Sequence, residues 1–246
     1  MREQPDQKPG ERRILYGRRR GRPLRRDQQR LIDTLLPRLA VSLPESGTLD
    51  PVALFGAAPS ERVPREIWLE IGFGGGEHLA AQAASHRDIG MIGCEVFENG
   101  IAKLLGEIAR QDLANIRILT DDARLLLTAL PAESIGRVFI LFPDPWPKQR
   151  HHKRRIVVRP TLDRLAEIMV DGAELRLATD DVDYLRWMLA RAPVHPAFAW
   201  LAEGPEDWRS RPADWPATRY EAKAVAAGRR PYFLRLRRRP RRAGAG

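Results

Sequence analysis

The sequence predicts an α/β fold, a parallel sheet with helices on both of its faces. Two observations lead there. From residue 66 onward, short apolar runs of strand length alternate with stretches of helical periodicity, the pattern of right-handed βαβ units around a parallel sheet. The first run also ends in a cluster of glycines, Gly72 and Gly74 to Gly76, where a strand would turn into a helix. Tight turns of that kind let the backbone approach a ligand.

Taken in order, residues 1–26 are polar, rich in Arg and Gly and without periodicity, and are expected to form a flexible basic arm. Residues 27–65 are read as a lead-in: a short helix with Leu31, Leu35, Leu36 and Leu39 on one face, then an irregular stretch from 42 that carries Pro, Gly and Ser. The main domain is expected over 66–240, with 241–246 as a disordered tail. Its strands are read at 66–72, 91–97, 116–120, 137–142 and 174–179, and its helices from the glycines to about Ser85, then over 99–111, 122–129, 160–170 and 182–191. Residues 193–230 read as irregular, rich in Pro and Trp, and 232–239 as a late strand with Phe233, Leu234 and Leu236 facing inward.

The 246 residues suffice for one such domain with a substantial core. No apolar run approaches the roughly 20 residues that span a bilayer, and the arginine-rich N-terminus has no apolar stretch after it. Cys94 is the only cysteine, which excludes an internal disulfide and a cysteine metal cluster. The expectation is a cytoplasmic protein without a membrane partner. The formal net charge of +10 points to a polyanion, most commonly nucleic acid. Only five of the 42 basic residues are lysine, an arginine bias that genome composition also produces.

The glycine turn has the spacing Glu70, Gly72, Gly74, Gly76. A dinucleotide fingerprint needs Gly-x-Gly-x-x-Gly, and its last position here is Glu77 or Leu79, depending on the first glycine counted. Glu70 would also repel a pyrophosphate, whereas it suits a methionine ammonium or a sulfonium. The turn therefore favours S-adenosylmethionine over a nicotinamide dinucleotide. Glu95, ending the second strand, can accept from both ribose hydroxyls of either nucleoside, or cap the next helix. Asp121 and Asp122 end the third; one can accept from an adenine amine, and one can be an N-cap. The fourth strand runs into "FPDPWPKQRHHKRR" (142–155). Pro143 and Pro145 stiffen the backbone around Asp144, which should face the cleft at the carboxyl ends of the strands. Trp146 can cover a base. Lys148 and the run Arg150, His151, His152, Lys153, Arg154 and Arg155 offer what a phosphate backbone needs. The adjacent histidines have no carboxylate or Cys partners nearby, so no metal site is expected. Thr179–Asp180 at the fifth strand's end, and Thr218, Arg219, Tyr220 and Glu221, read singly as caps or surface pairs; Thr218 to Glu221 fits a capping box.

Taken together, Glu70–Gly76, Glu95, Asp122–Ala123, "FPDPWPKQRHHKRR", "TDD" at 179–181 and "TRYEAKA" at 218–224 resemble the bacterial tRNA (guanine-N7)-methyltransferase family, in the family's order and over roughly residues 66–234. "YGRRRGRPL" (16–24) also looks like an arm of some members. The resemblance implies a Rossmann-like class I methyltransferase fold with a mostly parallel seven-stranded sheet, 66–240 being the catalytic domain. It implies S-adenosylmethionine as methyl donor, no metal, and guanine 46 of the tRNA variable loop as target. By the same resemblance Glu70, Gly72, Gly74, Gly76, Glu95, Asp122 and Asp144 are cofactor positions, and Asp144 is the catalytic one. Lys148, Asp180 and Thr218–Glu221 are implied to bind substrate, and 150–155 to contact RNA. No obligatory protein partner is implied, and the chain is expected as monomer or homodimer. "FENGI" (97–101) departs from the His-x-Pro-Gly type sequence of many members.

Guanine N7 already carries a lone pair, so no proton leaves before attack and positioning should dominate the acceleration. Asp144 can accept from guanine N1–H or the 2-amino group, stabilising the cation that forms and selecting against adenine. The competing readings are a nicotinamide oxidoreductase, a methyltransferase for another substrate, and an RNA-binding module that has lost turnover.

Overall fold

A computed structural model describes residues 19–56 and 62–241. Most of the expected arm and nearly all of the tail therefore lie outside the described residues. Helix α1 (Arg26–Thr34) and the short α2 (Leu36–Leu39) come first. One helix was expected; Pro37, which lacks an N–H, sits in the first turn of the second piece. Leu31, Leu35 and Leu36 pack on the core and Leu39 is buried, as their spacing requires.

The alternating region follows: β1 (Glu66–Ile71), α3 (Glu77–Ser85), β2 (Ile89–Cys94), α4 (Glu98–Gln111), β3 (Ile116–Leu119), α5 (Ala123–Ala129) and β4 (Ile135–Leu141). A 3-10 turn (Gln149–Arg154) leads to α6 (Arg159–Ile168), β5 (Met169–Thr179) and α7 (Val182–Leu189). The chain then makes β6 (Phe198–Trp200), α8 (Glu206–Arg209), α9 (Arg219–Ala226) and β7 (Tyr232–Arg238).

The seven strands form one sheet in the order β3-β2-β1-β4-β5-β7-β6. β1 to β5 are parallel, and β7 runs antiparallel between β5 and β6. This is the mostly parallel seven-stranded sheet that the resemblance implies. Its strands are buried along most of their length, and apolar clusters fill both faces: Leu69, Ile92, Val138 and Leu177 belong to one, Trp68, Met91, Phe139 and Ala178 to the other. The lead-in closes the far edge, where Val41 N–H donates to the Ile118 carbonyl at 2.9 Å.

Residues 193–230 correct the sequence reading. They hold β6, α8 and α9 rather than irregular chain alone. A three-residue strand and a four-residue helix are too short to show a period. β5 also begins five residues earlier than expected, at Met169, because Asp171–Gly172 reads as a turn; the register slips there against β4, and Gly172 takes φ +83°.

The chain leaves β1 toward β2 and β3 on one side and crosses to β4 on the other. That reversal opens a crevice at the carboxyl ends of β1, β2 and β4.

Candidate active site

A cavity of about 360 Å³ fills this crevice. Its floor is the glycine loop. Gly72, Gly74 and Gly76 adopt φ of +75°, +56° and +79°, a left-handed backbone that other residues enter only at a cost. Close packing adds a second constraint: a Cβ on Gly74 would meet the Tyr220 ring at 2.7 Å, and one on Gly100 would lie 2.0 Å from the Gly74 carbonyl oxygen. Gly100, in the first turn of α4, is a site residue that sequence reasoning missed; its neighbour Asn99 in the departing "FENGI" was the only signal.

Glu95 ties the loop to the second strand. Its Oε2 accepts from Gly74 N–H at 2.8 Å, and its Oε1 accepts from Val96 and Phe97 N–H at 2.8 and 2.9 Å. By lone-pair count Oε2 alone can accept once more. Burial pushes the Glu95 carboxyl up, the three backbone donors pull it back, and the negative charge of Asp144 adds to the rise.

At the end of β3 the open choice resolves. Asp122 is the N-cap of α5, its Oδ1 accepting from Arg124 N–H at 2.9 Å, while Asp121 accepts from Asp122 N–H at 2.7 Å. Both also line the cavity, as does Arg124, whose guanidinium lies 3.2 Å from Asp122.

Beyond β4 the chain makes the proline turn. Phe142 and Trp146 bracket it with φ of +51° and +46°, a conformation costing bulky residues on the order of 1–3 kcal/mol each. Asp144 at its crest lines the cavity with Trp146, and desolvation raises its carboxyl from the ordinary aspartate value. The Arg154 guanidinium lies over the Trp146 ring at 4.8 Å.

The other expected residues distribute as follows. Tyr220 lines the cavity. Thr218 caps α9, accepting from Glu221 N–H at 3.1 Å, and the Glu221 carboxylate pairs with Arg211 rather than completing the box. Arg219 lies 3.8 Å from Glu77, and Asp180 pairs with Arg229 at 2.7 Å. Lys148, Arg150 and Lys153 are exposed on and beside the 3-10 turn. His151 stands edge-on to Trp146 and His152 to Trp187. Arg155, expected among the RNA contacts, is buried. Glu70 is buried as well, its Oε2 2.7 Å from Nδ1 of a buried His78 on α3, and it does not line the cavity. His78 was not singled out because a lone His on a helix usually packs without function.

Four carboxylates, Glu95, Asp121, Asp122 and Asp144, thus face one cavity in a chain of net charge +10. With only Arg124 and Arg154 as cations in the lining, the excess charge is negative and disfavours a pyrophosphate. A nucleoside bearing an ammonium and a sulfonium fits the charge and the glycine floor, so the residues present suit S-adenosylmethionine. Among the described residues, no three His, Cys, Asp or Glu side chains gather as a metal ion would require.

Comparison with known proteins gives the family. The profile of a family described as "Putative methyltransferase" matches residues 64–234. A tRNA (guanine-N(7)-)-methyltransferase of Rhodospirillum rubrum is 52% identical over 98% of this chain and 93% of its own length. The protein of that name from Paramagnetospirillum magneticum is 52% identical over 94% and 95%. The chain belongs to the tRNA (guanine-N(7)-)-methyltransferase family. Its relative from Granulibacter bethesdensis, 46% identical, covers 97% of this chain, so the family likeness extends beyond the profile match to the lead-in. Among solved structures, PH0851 superposes with a TM-score of 0.52 at 16% identity, covering 71% of this chain and 43% of that one, a likeness of fold alone.

Proposed function

We propose that this chain transfers the methyl group of S-adenosylmethionine to N7 of a guanine in tRNA, and that the guanine is position 46 in the variable loop. The observation that carries the reading is the crest of the proline turn: Asp144 shares one cavity with Glu95 and Asp122, beside a basic 3-10 turn. The printed names of relatives spanning nearly the whole chain support it.

When bound, S-adenosylmethionine supplies an electrophilic methyl on a sulfonium. Glu95, whose Oε2 keeps one free acceptor site, would hold its ribose, Asp122 would serve the adenine side, and the glycine loop would receive the rest of the ligand. Glu70 does not line the cavity, so its part is indirect, through its hydrogen bond to His78. Asp144 accepts from the N1–H or 2-amino group of the guanine and stabilises the positive charge that reaches the ring. No proton has to leave before attack, so these residues work by orientation. Lys148, Asp180 and Thr218–Glu221 serve the substrate, and the 150–154 segment meets the RNA, Arg155 being buried. The reading takes 66–240 as catalytic domain, 27–65 as lead-in, 1–26 as a basic arm and 241–246 as a tail. It describes a cytoplasmic enzyme, monomer or homodimer, that needs no metal and no protein partner.

The test is methyl transfer from labelled S-adenosylmethionine to an unmodified tRNA with guanine at position 46, beside the same tRNA carrying adenine there. Label in the guanine tRNA alone, recovered as 7-methylguanosine, is expected. Label in both tRNAs would move the target elsewhere, and label in neither would end the reading.

A further inference from the structure

We propose that Arg155 is a positioning residue for the proline turn that carries Asp144, and not an RNA contact. The inference rests on the reading that Asp144 serves methyl transfer, and it reassigns one member of the basic segment expected to meet RNA.

The turn cannot hold itself. Pro143, Pro145 and Pro147 have no N–H, so three of its five residues from 143 to 147 donate nothing to the backbone. Phe142 and Trp146, on either side of Pro143–Asp144–Pro145, occupy left-handed backbone. Such conformations persist where surrounding contacts over-determine them. On the strand side the anchor is Phe142 N–H, donating to the Ala178 carbonyl at 2.8 Å. On the far side it is Arg155: its Nε donates to the Pro145 carbonyl at 2.7 Å, and its Nη2 donates to Asp183 on α7. The guanidinium carbon lies 4.8 Å from the Tyr184 ring centre and 4.7 Å from that of Trp187. One rigid fork thus joins the residue after Asp144 to the first turns of α7. A lysine presents a single ammonium and cannot bridge both partners with that geometry.

Burial separates Arg155 from its neighbours. It is 1% exposed, whereas Arg150 and Lys153 are open to solvent. A charge so far from water needs paired partners; Arg155 Nε and Nη2 have theirs within the protein, and Nη1 is buried without one. Meeting a phosphate would require it to leave Pro145, Asp183 and two aromatic rings. The chain therefore turns consecutive arginines to different tasks: Arg154 over Trp146 at the cavity wall, Arg155 inward behind the turn.

The variants that test this are Arg155→Lys, which keeps the charge and loses the fork, and Asp183→Ala, which removes an exposed partner and keeps Arg155. Arg150→Met is the comparison for a phosphate contact. For each, kcat and KM for tRNA, the salt dependence of tRNA affinity, the melting temperature, and hydrogen exchange at the amides of Phe142 and of position 155, which donate to the Ala178 and His152 carbonyls, are measured. Arg155→Lys is expected to lower kcat by about 10- to 100-fold, the size of effect that a small misplacement produces. It should leave KM and the salt slope within about twofold of wild type and speed exchange at both amides. Asp183→Ala should move the same quantities in the same direction by less. Arg150→Met should instead weaken binding and flatten the salt slope by about 1. Near-normal kcat and exchange in Arg155→Lys would overturn the proposal, as would tighter tRNA binding with unchanged kcat in Asp183→Ala, the result expected if Asp183 merely competes with RNA for Arg155. Should Arg155→Lys fail to fold, Asp183→Ala decides alone. A wild-type protein that methylates no tRNA, with exchange still faster in the variants, would remove the methyl-transfer reading and leave the brace standing.

Discussion

Asp144 must be ionised to accept from guanine N1–H, and its surroundings oppose ionisation. Desolvation raises its carboxyl above the usual aspartate value of about 3.9. Because the folded-state value is raised, activity is full at neutral pH and is lost as pH falls through that value. The acid limb of kcat/KM should therefore be displaced upward from the ordinary aspartate value. Asp144→Asn should abolish that limb, lower kcat by about 10²- to 10³-fold, and leave tRNA binding in place; a variant with normal turnover would refute the assignment. At this scale the sequence was a good guide where position alone decides. Glu95, Asp121, Asp122 and Asp144 follow parallel strands, and the carboxyl ends of such strands border the crevice. It was a poor guide where the rotamer decides. Glu70 is directed onto His78 and Arg155 behind the turn, and nothing in a run of arginines says which one faces inward.

Between elements, the glycine loop is held by the start of α4. The hydrogen of Gly100 faces the Gly74 carbonyl, and a methyl group in its place would stand 2.0 Å from that oxygen. Gly100→Ala should displace the loop, cost about 1–3 kcal/mol of stability as overpacking does, and weaken S-adenosylmethionine binding by at least about tenfold. Thermal melts and titration calorimetry check this, and an unchanged affinity would show that the loop has room to move. The same helix start grips the chain entering from the N-terminal side. Asn99 Oδ1 accepts from Gly21 N–H and Asn99 Nδ2 donates to the Arg22 carbonyl, each at 2.7 Å, while Glu98 N–H donates to the Arg19 carbonyl at 2.9 Å. The "FENGI" departure thus finds a physical role, joining the arm to the wall of the cavity through Phe97 and Glu95. Helices and strands of the alternating region were legible because helices of seven or more residues alternate there with apolar-rich strands of four or more. β6 and α8 were not, since they are defined by pairing with β7 and by packing rather than by any pattern of their own.

Over the whole molecule, charge is segregated. The surplus is positive, yet the cavity is walled by four carboxylates, with exposed Lys148, Arg150 and Lys153 close in sequence to Asp144. A cationic cofactor and a polyanionic substrate can therefore occupy adjoining regions without competing for the same field. If those three exposed cations each meet a phosphate, log affinity for tRNA should fall against log salt with a slope of about −2 to −3, while S-adenosylmethionine affinity changes little. Filter binding at several salt concentrations measures the first and calorimetry the second; a nearly flat line for tRNA would contradict this picture.

The sequence by itself determined the βαβ alternation, the glycine turn and the proline-locked aspartate, because each depends on local period or on residues with restricted or permissive backbones. Tertiary structure alone decided that β7 inserts antiparallel between β5 and β6, that Gly100 packs on Gly74, and that Arg155 braces the turn while Arg150 and Lys153 face solvent. Those outcomes depend on which surfaces meet once the sheet has formed, and residues far apart in the chain acquire their partners only then.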